Sequence, residues 1–306
     1  MGVSDRAHFA WLCEALARFE AQSGRLATMR ERGQPLTLWA LAATRMTPPV
    51  DFVVSKLGPG DVGVSFLDKF AREPGVTRID FNALEDVPDN SCDVLMMSRA
   101  SYLVADPDAF LFHTRRLIRP GGLMIIDWLH GLSDAPVLDL PGHHIYDGRA
   151  HAFLTTYCDR EFLAEFPVEF AAFLQHVNHP PWWTNLAPPG APVSLKERVI
   201  RLVGGGPRRQ LTPDTYLETL RAELRGAGKH LIEPGLLARY FTVAFRHARY
   251  FYPSVRKFNL FLLTVLEPVA KYARPEGQAT AGTASTSAGT GPSRAWERGR
   301  GMEGSR

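Results

Sequence analysis

The sequence contains few of the residues that build disulfide or metal frameworks. Only three cysteines occur among 306 residues, Cys13, Cys92 and Cys158, and they are widely spaced. An odd, dispersed set of this kind argues against a disulfide-rich secreted domain and against a paired-cysteine zinc site. The histidines from His143 to His179 also fit no recognised zinc spacing. We therefore expect a cytoplasmic protein without a bound metal.

Long apolar runs are absent as well. No run reaches the about 18 to 20 residues that a membrane-spanning helix needs. The first residues, Met1–Arg6, show no charged, apolar and small-residue succession typical of a secretory signal, and Arg6 stands where a myristoylation motif needs Ser or Thr. The expectation is a soluble protein, or one that is peripheral to a membrane.

A strong charge of one sign is the third absence. The formal net charge is only +3, and no zinc-finger, homeodomain or aromatic-basic RNA-binding signature occurs. We therefore expect no nucleic-acid partner. The 45% of hydrophobic residues is sufficient for a full core in one large domain or in one domain with additions.

One stretch does show clear punctuation. The turn-forming residues Pro88–Ser91 lead into a short apolar run, Asp93–Met97, which indicates a buried strand. Asp106 then precedes Pro107 as an N-cap precedes the first helical residue, and the helix stops at Arg119–Gly122. A second apolar run, Leu123–Asp127, follows. Strand, helix and strand at this spacing predict a right-handed parallel crossover and therefore an α/β fold.

The same stretch resembles a known family. Its segments PDNSCDVLMMS, DPDAFL and RRLIRPGGLMIID resemble the second half of the class I S-adenosylmethionine-dependent methyltransferase domain, where an acidic turn, a strand, a helix and an LxPGG turn recur in this order. The resemblance implies a doubly wound, mostly parallel sheet, a Rossmann-like methyltransferase fold. It also implies S-adenosylmethionine as cofactor and a methyl-transfer reaction, although a fold specifies activity less securely than architecture.

A glycine pattern further upstream predicts where the cofactor binds. We predict a first strand at Asp51–Leu57, a loop of the form G-x-G-x-x-G at Gly58, Gly60 and Gly63, and a helix at Val64–Arg72. Glycines in such a loop let the backbone approach a ligand closely, and the helix N-terminus adds unpaired amides. The three glycines are therefore candidate cofactor-binding residues.

Two features depart from the family pattern. The family usually has an acidic residue two positions before the first glycine, but this chain has Lys56, whose charge would oppose the cationic cofactor by about 1 to 4 kcal/mol at about 4 Å. The second departure concerns the segment Val76–Phe81, for which two strand assignments are possible. It is either the second strand, with Asp80 at the ribose-binding place, or the third, with Asn82 at the adenine-contacting place. Loss of the cofactor is the alternative that these departures leave open.

Candidate catalytic residues follow the fifth strand. Methyl transfer is an in-line displacement that needs positioning and, for a poor nucleophile, a general base. Asp127 and His130 come at the carboxyl end of the strand, where open α/β sheets bind ligands. Both are candidate bases, with a structural hydrogen bond or a solvated loop as the alternative role.

The remaining pattern predicts the organisation of the chain. A helix over about 5–32 and a second at Leu36–Thr44 begin the chain, and Thr212–Pro213 begins a later helix that ends near Arg225. A strand at His230–Ile232, a helix over Gly235–Arg249 and a strand at Asn259–Leu266 close the fold. The predicted parts are N-terminal helices (1–47), an α/β core (48–132 and 210–273), an insertion (133–209) and a disordered tail (274–306).

Leu236–Lys257 indicates a partner. Arginines alternate there with aromatic residues and no acidic residue occurs, a composition that suits an anionic membrane surface or a membrane protein complex. A helix packed on the sheet with a solvated basic face is the alternative.

Two functions are therefore predicted. The first is an S-adenosylmethionine-dependent methyltransferase that acts on a small or lipophilic acceptor. The alternative is a catalytically inactive protein of the same fold that serves as a structural or assembly subunit of a membrane-associated complex. A nicotinamide dehydrogenase based on G-x-G-x-x-G is disfavoured by the Pro-Gly-Gly turn.

Overall fold

A seven-stranded sheet forms the centre of the protein. The fold is taken from a computed structural model, which describes residues 3–130, 145–146, 149–150, 155–157, 160–178, 212–226, 230–254 and 257–270. The described strands are β1 Leu36–Leu41, β2 Val62–Asp68, β3 Val76–Arg78, β4 Cys92–Met97, β5 Ile118–His130, β6 Ile145–Tyr146, β7 Arg149–Ala150, β8 Thr155–Tyr157, β9 His230–Ile232, β10 Phe241–Ser254 and β11 Lys257–Pro268.

Helices cover both faces of this sheet. The described helices are α1 Val3–Ser23, α2 Arg25–Arg30, α3 Pro48–Leu57, α4 Pro107–Leu117, α5 Arg160–Glu165, α6 Pro167–Asn178, α7 Pro213–Gly226 and α8 Pro234–Ala238. The first three helices pack in one apolar cluster with β1, β4, β5 and β11, and α4, α6 and α7 pack in a second cluster on the opposite face.

The strand order is β10-β11-β5-β4-β1-β2-β3. Strands β1 to β5 run parallel, and β11 is antiparallel to both β5 and β10. Since the crossover through α3 lies on one face and the crossover through α4 on the other, the sheet is doubly wound and mostly parallel. The predicted fold class is confirmed.

The predicted crossover from β4 through α4 to β5 is also confirmed. Asp106 caps α4, because its Oδ1 accepts the Ala109 N–H at 3.1 Å, and Pro107 occupies the first turn. Every residue of β4 is buried, as expected for a central parallel strand. Strand β5 begins earlier and ends later than the apolar run Leu123–Asp127 indicated.

The predictions for the preceding segment are wrong. Leu36–Leu41 is a strand and not a helix, Pro48–Leu57 is a helix and not a strand, and Val62–Asp68 is a strand and not a helix. Pro48 and Pro49 start α3 rather than end an earlier helix, since proline suits the first helical turn. The buried residues of α3 fall at helical spacing: Val50, Val53, Val54 and Leu57.

The predicted block of N-terminal helices over 1–47 is consequently wrong in part. It contains β1, which pairs with β2 on one side and β4 on the other and therefore lies in the middle of the sheet. Helices α1 and α2 do match the helix predicted over about 5–32, with a break at Gly24, whose φ is +58°.

The closing elements are confirmed in part. Helix α7, strand β9 and the apolar strand within β11 lie where they were predicted. The helix predicted over Gly235–Arg249 is wrong, because α8 ends at Ala238 and β10 forms a hairpin with β11. Strand β10 contains the aromatic residues Phe241, Phe245, Tyr250, Phe251 and Tyr252, and such residues favour a strand.

Parts of the predicted insertion form regular structure. The strand β8 pairs parallel with β9, and the helices α5 and α6 follow it. Strands β6 and β7 form a short antiparallel pair. The other insertion residues, including Trp182, Trp183 and most of the histidines considered as metal ligands, lie outside the described residues, as does the tail from 274 to 306.

Candidate functional site

Four neighbouring strands are aligned at one level near the carboxyl edge of the sheet. The pairs Leu41–Leu67, Leu41–Met97 and Met97–Ile126 lie in register on β1, β2, β4 and β5. The next residue of each strand therefore belongs to one row, which we call the carboxyl-edge row: Asp68, Ala42, Ser98 and Asp127. Since β1 leads to β2 on one side and has β4 on the other, the middle of this row is the topological switch point, where open α/β sheets bind ligands.

A cavity of about 180 Å³ opens at this switch point. Its lining consists of Phe9 of α1, the end of β1 with the loop that follows it, Val50 of α3, Met96 of β4 and Ser98 directly after β4. The only charged side chain in the lining is that of Arg45, and no acidic residue contributes to it. A cavity of this volume holds only part of a typical small-molecule ligand, since such pockets occupy about 300 to 1,000 Å³.

Two residues beside the cavity have a left-handed backbone. Ala42 has φ of +54° and Arg99 has φ of +57°, and they are two of the three non-glycine residues with positive φ in the described part of the chain. Such a conformation costs a residue with a side chain about 1 to 3 kcal/mol, and it concentrates at functional sites. Ala42 is the first residue after β1, and Arg99 is the second residue after the neighbouring strand β4.

Asp127 holds this turn from β5. Its Oδ1 accepts the Arg99 N–H at 2.7 Å, and its Oδ2 accepts the Ser98 hydroxyl at 3.2 Å. The Oδ2 atom also lies 2.7 Å from Nε2 of His8, and each of these two side chains is 1% exposed. The main-chain oxygen of Asp127 accepts the Ser101 hydroxyl at 2.6 Å. A carboxylate with these contacts is suited to positioning, and its predicted role as a general base stays a prediction.

His130, the other candidate base, ends β5. Its main chain lies opposite Leu260 of β11, three residues beyond Asp127. The orientation of its side chain lies outside the described part of the structure, so its catalytic role stays a prediction.

The predicted glycine loop lies at the other end of β1. Residues 58–61 follow helix α3 and precede strand β2, and the Leu36 N–H at the start of β1 donates to the Asp61 carbonyl at 2.8 Å. The strand–loop–helix context expected for Gly58, Gly60 and Gly63 is therefore wrong. A six-residue strand is about 20 Å long, so these glycines are about that far from the cavity.

Lys56 lies with the glycine loop and away from the cavity. It belongs to the last turn of α3, where its Nζ is 5.5 Å from the centre of the Phe52 ring. If Ala42 takes the place of the first family glycine, the residue two positions before it is Ala40, which lines the cavity. In that alignment the position of the family's acidic residue is occupied by Ala40, and not by Lys56 as expected from the sequence.

The structure decides between the two alternatives for Val76–Phe81. Val76–Arg78 is the third strand, since it pairs with β2 at the edge of the sheet. In that alternative Asn82 is the residue expected to contact adenine, and this role stays a prediction. Its Oδ1 accepts the Ala105 N–H at 2.9 Å and its Nδ2 donates to the Leu103 carbonyl at 3.2 Å. Asp80 instead pairs with Lys69 at 2.9 Å.

The end of the second strand is Asp68, which the sequence patterns did not reveal. It lies in the carboxyl-edge row next to Ala42, and its Oδ1 accepts the Phe70 N–H at 2.7 Å. In the family pattern an acidic residue at this place binds the ribose. The signal is the alternation of Val62, Val64 and Phe66 with their neighbours, which the helix predicted over Val64–Arg72 did not take into account.

The cysteines are not candidate nucleophiles. Burial and the neighbouring Asp93 raise the pKa of the Cys92 thiol to about 12, and burial also raises the pKa of Cys13. A thiol with a raised pKa carries little thiolate near neutral pH. Cys158 lies outside the described residues.

The predicted docking segment, Leu236–Lys257, forms α8 and the edge strand β10. Three of its arginines pair with acidic residues of other elements: Arg239 with Asp108, Arg246 with Glu165 and Arg249 with Glu14. The Tyr240 hydroxyl donates to Asp108 at 2.5 Å, and burial together with this bond raises the pKa of Tyr240 to about 12. Binding of a membrane or a complex through this segment stays a prediction.

No helix in the part of the chain that the structure describes is both long and apolar enough to cross a membrane.

The comparisons with known proteins agree with this architecture. Residues 62–126 match the family model of a methyltransferase domain. That segment begins at β2 and ends in β5, so it includes β4 and α4 but neither β1 nor the loop after it. No curated protein matches the sequence.

Solved methyltransferases match at low similarity. The CurJ carbon methyltransferase matches at 16% identity over 32% of this chain and 30% of its own, with a TM-score of 0.26. The CalH trans-methyltransferase, solved with SAH, matches at 13% identity over 80% and 54%, with a TM-score of 0.35. A putative sarcosine dimethylglycine methyltransferase from Galdieria sulphuraria matches at 12% identity over 85% and 84%, with a TM-score of 0.33. This chain thus spans about a third and about half of the first two proteins.

Proposed function

We propose that this chain, whose residues 62–126 match a methyltransferase domain, binds S-adenosylmethionine at the carboxyl-edge row and methylates a small or lipophilic acceptor. One observation carries the proposal. The cavity lies at the switch point between β1 and β4, enclosed by the loop after β1 and by Ser98.

The positions of the polar residues at this edge are compatible with binding of the cofactor. Asp68 offers a carboxylate acceptor for a ribose diol, and Ser98 and Thr44 offer hydroxyl groups at the cavity. The volume of about 180 Å³ is sufficient for one end of an adenosyl ligand, so the rest must lie along the open edge. The charge of the lining fits less well, because Arg45 repels a cation.

Each group at the edge has a distinct task in this proposal. When bound, the cofactor supplies a methyl group on a cationic sulfur. Asp127 holds Ser98 and Arg99 in place, and Phe9 separates the cavity from solvent on the side of α1. Alignment of two reactants by such fixed groups contributes much of the rate of a displacement.

Calorimetry on the full chain tests the proposal. We expect heat on titration with S-adenosylmethionine and with S-adenosylhomocysteine, together with slower amide exchange at 42–47 and 98–100. No heat and no thermal shift at millimolar concentrations of either ligand would overturn it. A ligand that protected only residues 58–63 would also contradict it.

A second candidate function is favoured by the same cavity. Its small volume, Ala42 and Ala40 in place of the family's glycine and acidic residue, and Arg45 in the lining are the features expected of a site that has lost its ligand. In this proposal the protein is a catalytically inactive structural or assembly subunit that docks on a membrane-associated complex through Leu236–Lys257.

Vesicle binding separates the two candidates. The structural-subunit proposal expects co-sedimentation with vesicles of anionic phospholipid, reduced by salt, and no binding of the cofactor. Neutral vesicles are the control. A protein that ignores anionic vesicles and binds S-adenosylhomocysteine would leave the methyltransferase proposal alone.

A further inference from the structure

We propose that His8 of α1 is a positioning residue for the ligand site. Through Asp127 it holds the turn Ser98–Ala100, in which Arg99 has a left-handed backbone, beside the cavity. This inference rests on the proposed function for its consequence in ligand binding, but its effect on the turn does not depend on a ligand.

The first step concerns the carboxylate of Asp127. Both this side chain and that of His8 are 1% exposed, and Nε2 of His8 lies 2.7 Å from Oδ2. A buried carboxylate is stable only when hydrogen-bonded or paired, so loss of the imidazole removes one of its partners without admitting solvent. Asp127 then has to reorient or open the edge to water.

The second step links Asp127 to the turn. Its Oδ1 accepts the Arg99 N–H at 2.7 Å, and Arg99 holds an unfavourable φ of +57°. A residue with a side chain keeps such a conformation only when its surroundings impose it. The carboxylate is the acceptor that fixes this peptide, and its Oδ2, which contacts His8, also accepts the hydroxyl of Ser98, a wall of the cavity.

The third step concerns α1 itself. Phe9, the residue after His8, lines the same cavity as Ser98. The pairing of His8 with Asp127 therefore joins two walls of the site that are 119 residues apart in sequence. Helix α1 also has a buried apolar side that does not involve His8: Leu12, Ala15, Leu16 and Phe19. Its folding accordingly does not depend on His8 alone.

Three variants of the full chain test the inference. His8→Leu removes the contact, His8→Gln retains an N–H donor on a side chain of similar reach, and Phe19→Leu is the matched control. Phe19 is fully buried on the same helix and packs on Phe245, at 5.6 Å between ring centres, away from Asp127. If His8→Leu does not fold, His8→Asn replaces it, because its amide is too short to reach Asp127.

Two measurements are made on each variant. The first is the amide exchange rate of Arg99, and the second is the affinity for S-adenosylhomocysteine. We expect His8→Leu to speed this exchange at least tenfold and to weaken binding at least tenfold, with His8→Gln within about threefold of the unmodified protein. Phe19→Leu should lower the melting temperature without changing either measurement.

Two results would overturn the inference: equal effects of His8→Leu and Phe19→Leu on Arg99 exchange, or no rescue of that exchange by His8→Gln. If the unmodified protein binds neither S-adenosylmethionine nor S-adenosylhomocysteine, the proposed function fails instead. The amide exchange of Arg99 then still tests whether His8 holds the turn, since this exchange is measured without a ligand.

Discussion

Two loops that differ in composition and backbone conformation lie near the two ends of β1. At the amino edge of the sheet, Gly58–Gly63 has the glycine pattern of a ligand loop but connects α3 to β2 in a turn. At the carboxyl edge, the loop from Ala42 contains no glycine, yet it borders the cavity and begins with a left-handed residue. The comparison indicates that the carboxyl end of a strand is a better guide to a candidate ligand site in an open sheet than a glycine pattern is.

Each edge also contains a buried aspartate, and their surroundings differ in the same way. Asp93 at the amino edge accepts the Thr37 N–H at 2.7 Å and pairs with Arg119 at 2.6 Å. The Arg119 side chain is 42% exposed, whereas His8, which pairs with Asp127, is 1% exposed. The amino edge is therefore a solvated structural network, and the carboxyl edge is a sequestered one.

The largest expected effect comes from removing these aspartates. Asp127→Ala should lower the free energy of unfolding by about 3 to 5 kcal/mol, because it removes the carboxylate that pairs with the buried His8 and accepts the Arg99 N–H. Asp93→Ala should cost about 1 to 3 kcal/mol, because water can replace part of its contacts with Arg119. Urea denaturation of both variants measures the difference. Equal losses of unfolding free energy in the two variants would contradict the distinction between a solvated amino edge and a sequestered carboxyl edge.

The sequence was sufficient to predict the order of elements from β4 to β5. That segment is punctuated by the turn before β4, by the N-cap at Asp106 and by Pro120–Gly122 after α4, all of which act locally, so the sequence pattern predicts the strand, the helix and the strand, but not the full length of β5. The prediction of the segment before β4 failed because two signals were ambiguous. The pair Pro48–Pro49 can end one element or begin another, and the valines of α3 are compatible with a strand until their burial at helical spacing is known.

The site was predictable only where it lies on a well-punctuated strand. Asp127 was placed at the carboxyl end of β5 because the apolar run ends there. His8 gave no signal, since its contact with Asp127 spans 119 residues and depends on how α1 packs. Ala42 gave none either, because nothing in its type indicates a left-handed backbone.

A smaller effect is expected from filling the two loops. Ala42→Val should weaken binding of S-adenosylhomocysteine at least tenfold, because a β-branched residue strains the left-handed backbone at φ of +54° and its methyl groups enter the cavity. Gly60→Ala is the matched control. A Cβ at Gly60 would meet no atom within 4 Å and its φ is not positive, so the affinity should stay within about twofold. Calorimetry that found the reverse order would assign the ligand to the glycine loop.

The smallest effect distinguishes the two cations near these loops. Arg45→Gln should raise the affinity for S-adenosylmethionine about twofold to fivefold, because a cation at the cavity repels the sulfonium by up to about 1 kcal/mol in a solvated setting. The affinity for S-adenosylhomocysteine, whose sulfur is neutral, should change less. The ratio of the two affinities therefore isolates the charge from any change in shape.

Lys56→Gln is the control for that ratio, and Lys56→Asp is its charge-reversed form. Lys56 is nine residues along α3 from Thr47, about 14 Å, which exceeds the screening length of about 8 Å at physiological salt. We therefore expect neither Lys56 variant to change the ratio, and we expect added salt to reduce the effect of Arg45→Gln. If the ratio of the two affinities changed in the Lys56 variants but not in Arg45→Gln, the cofactor would bind at the amino edge, because Lys56 lies beside the glycine loop there.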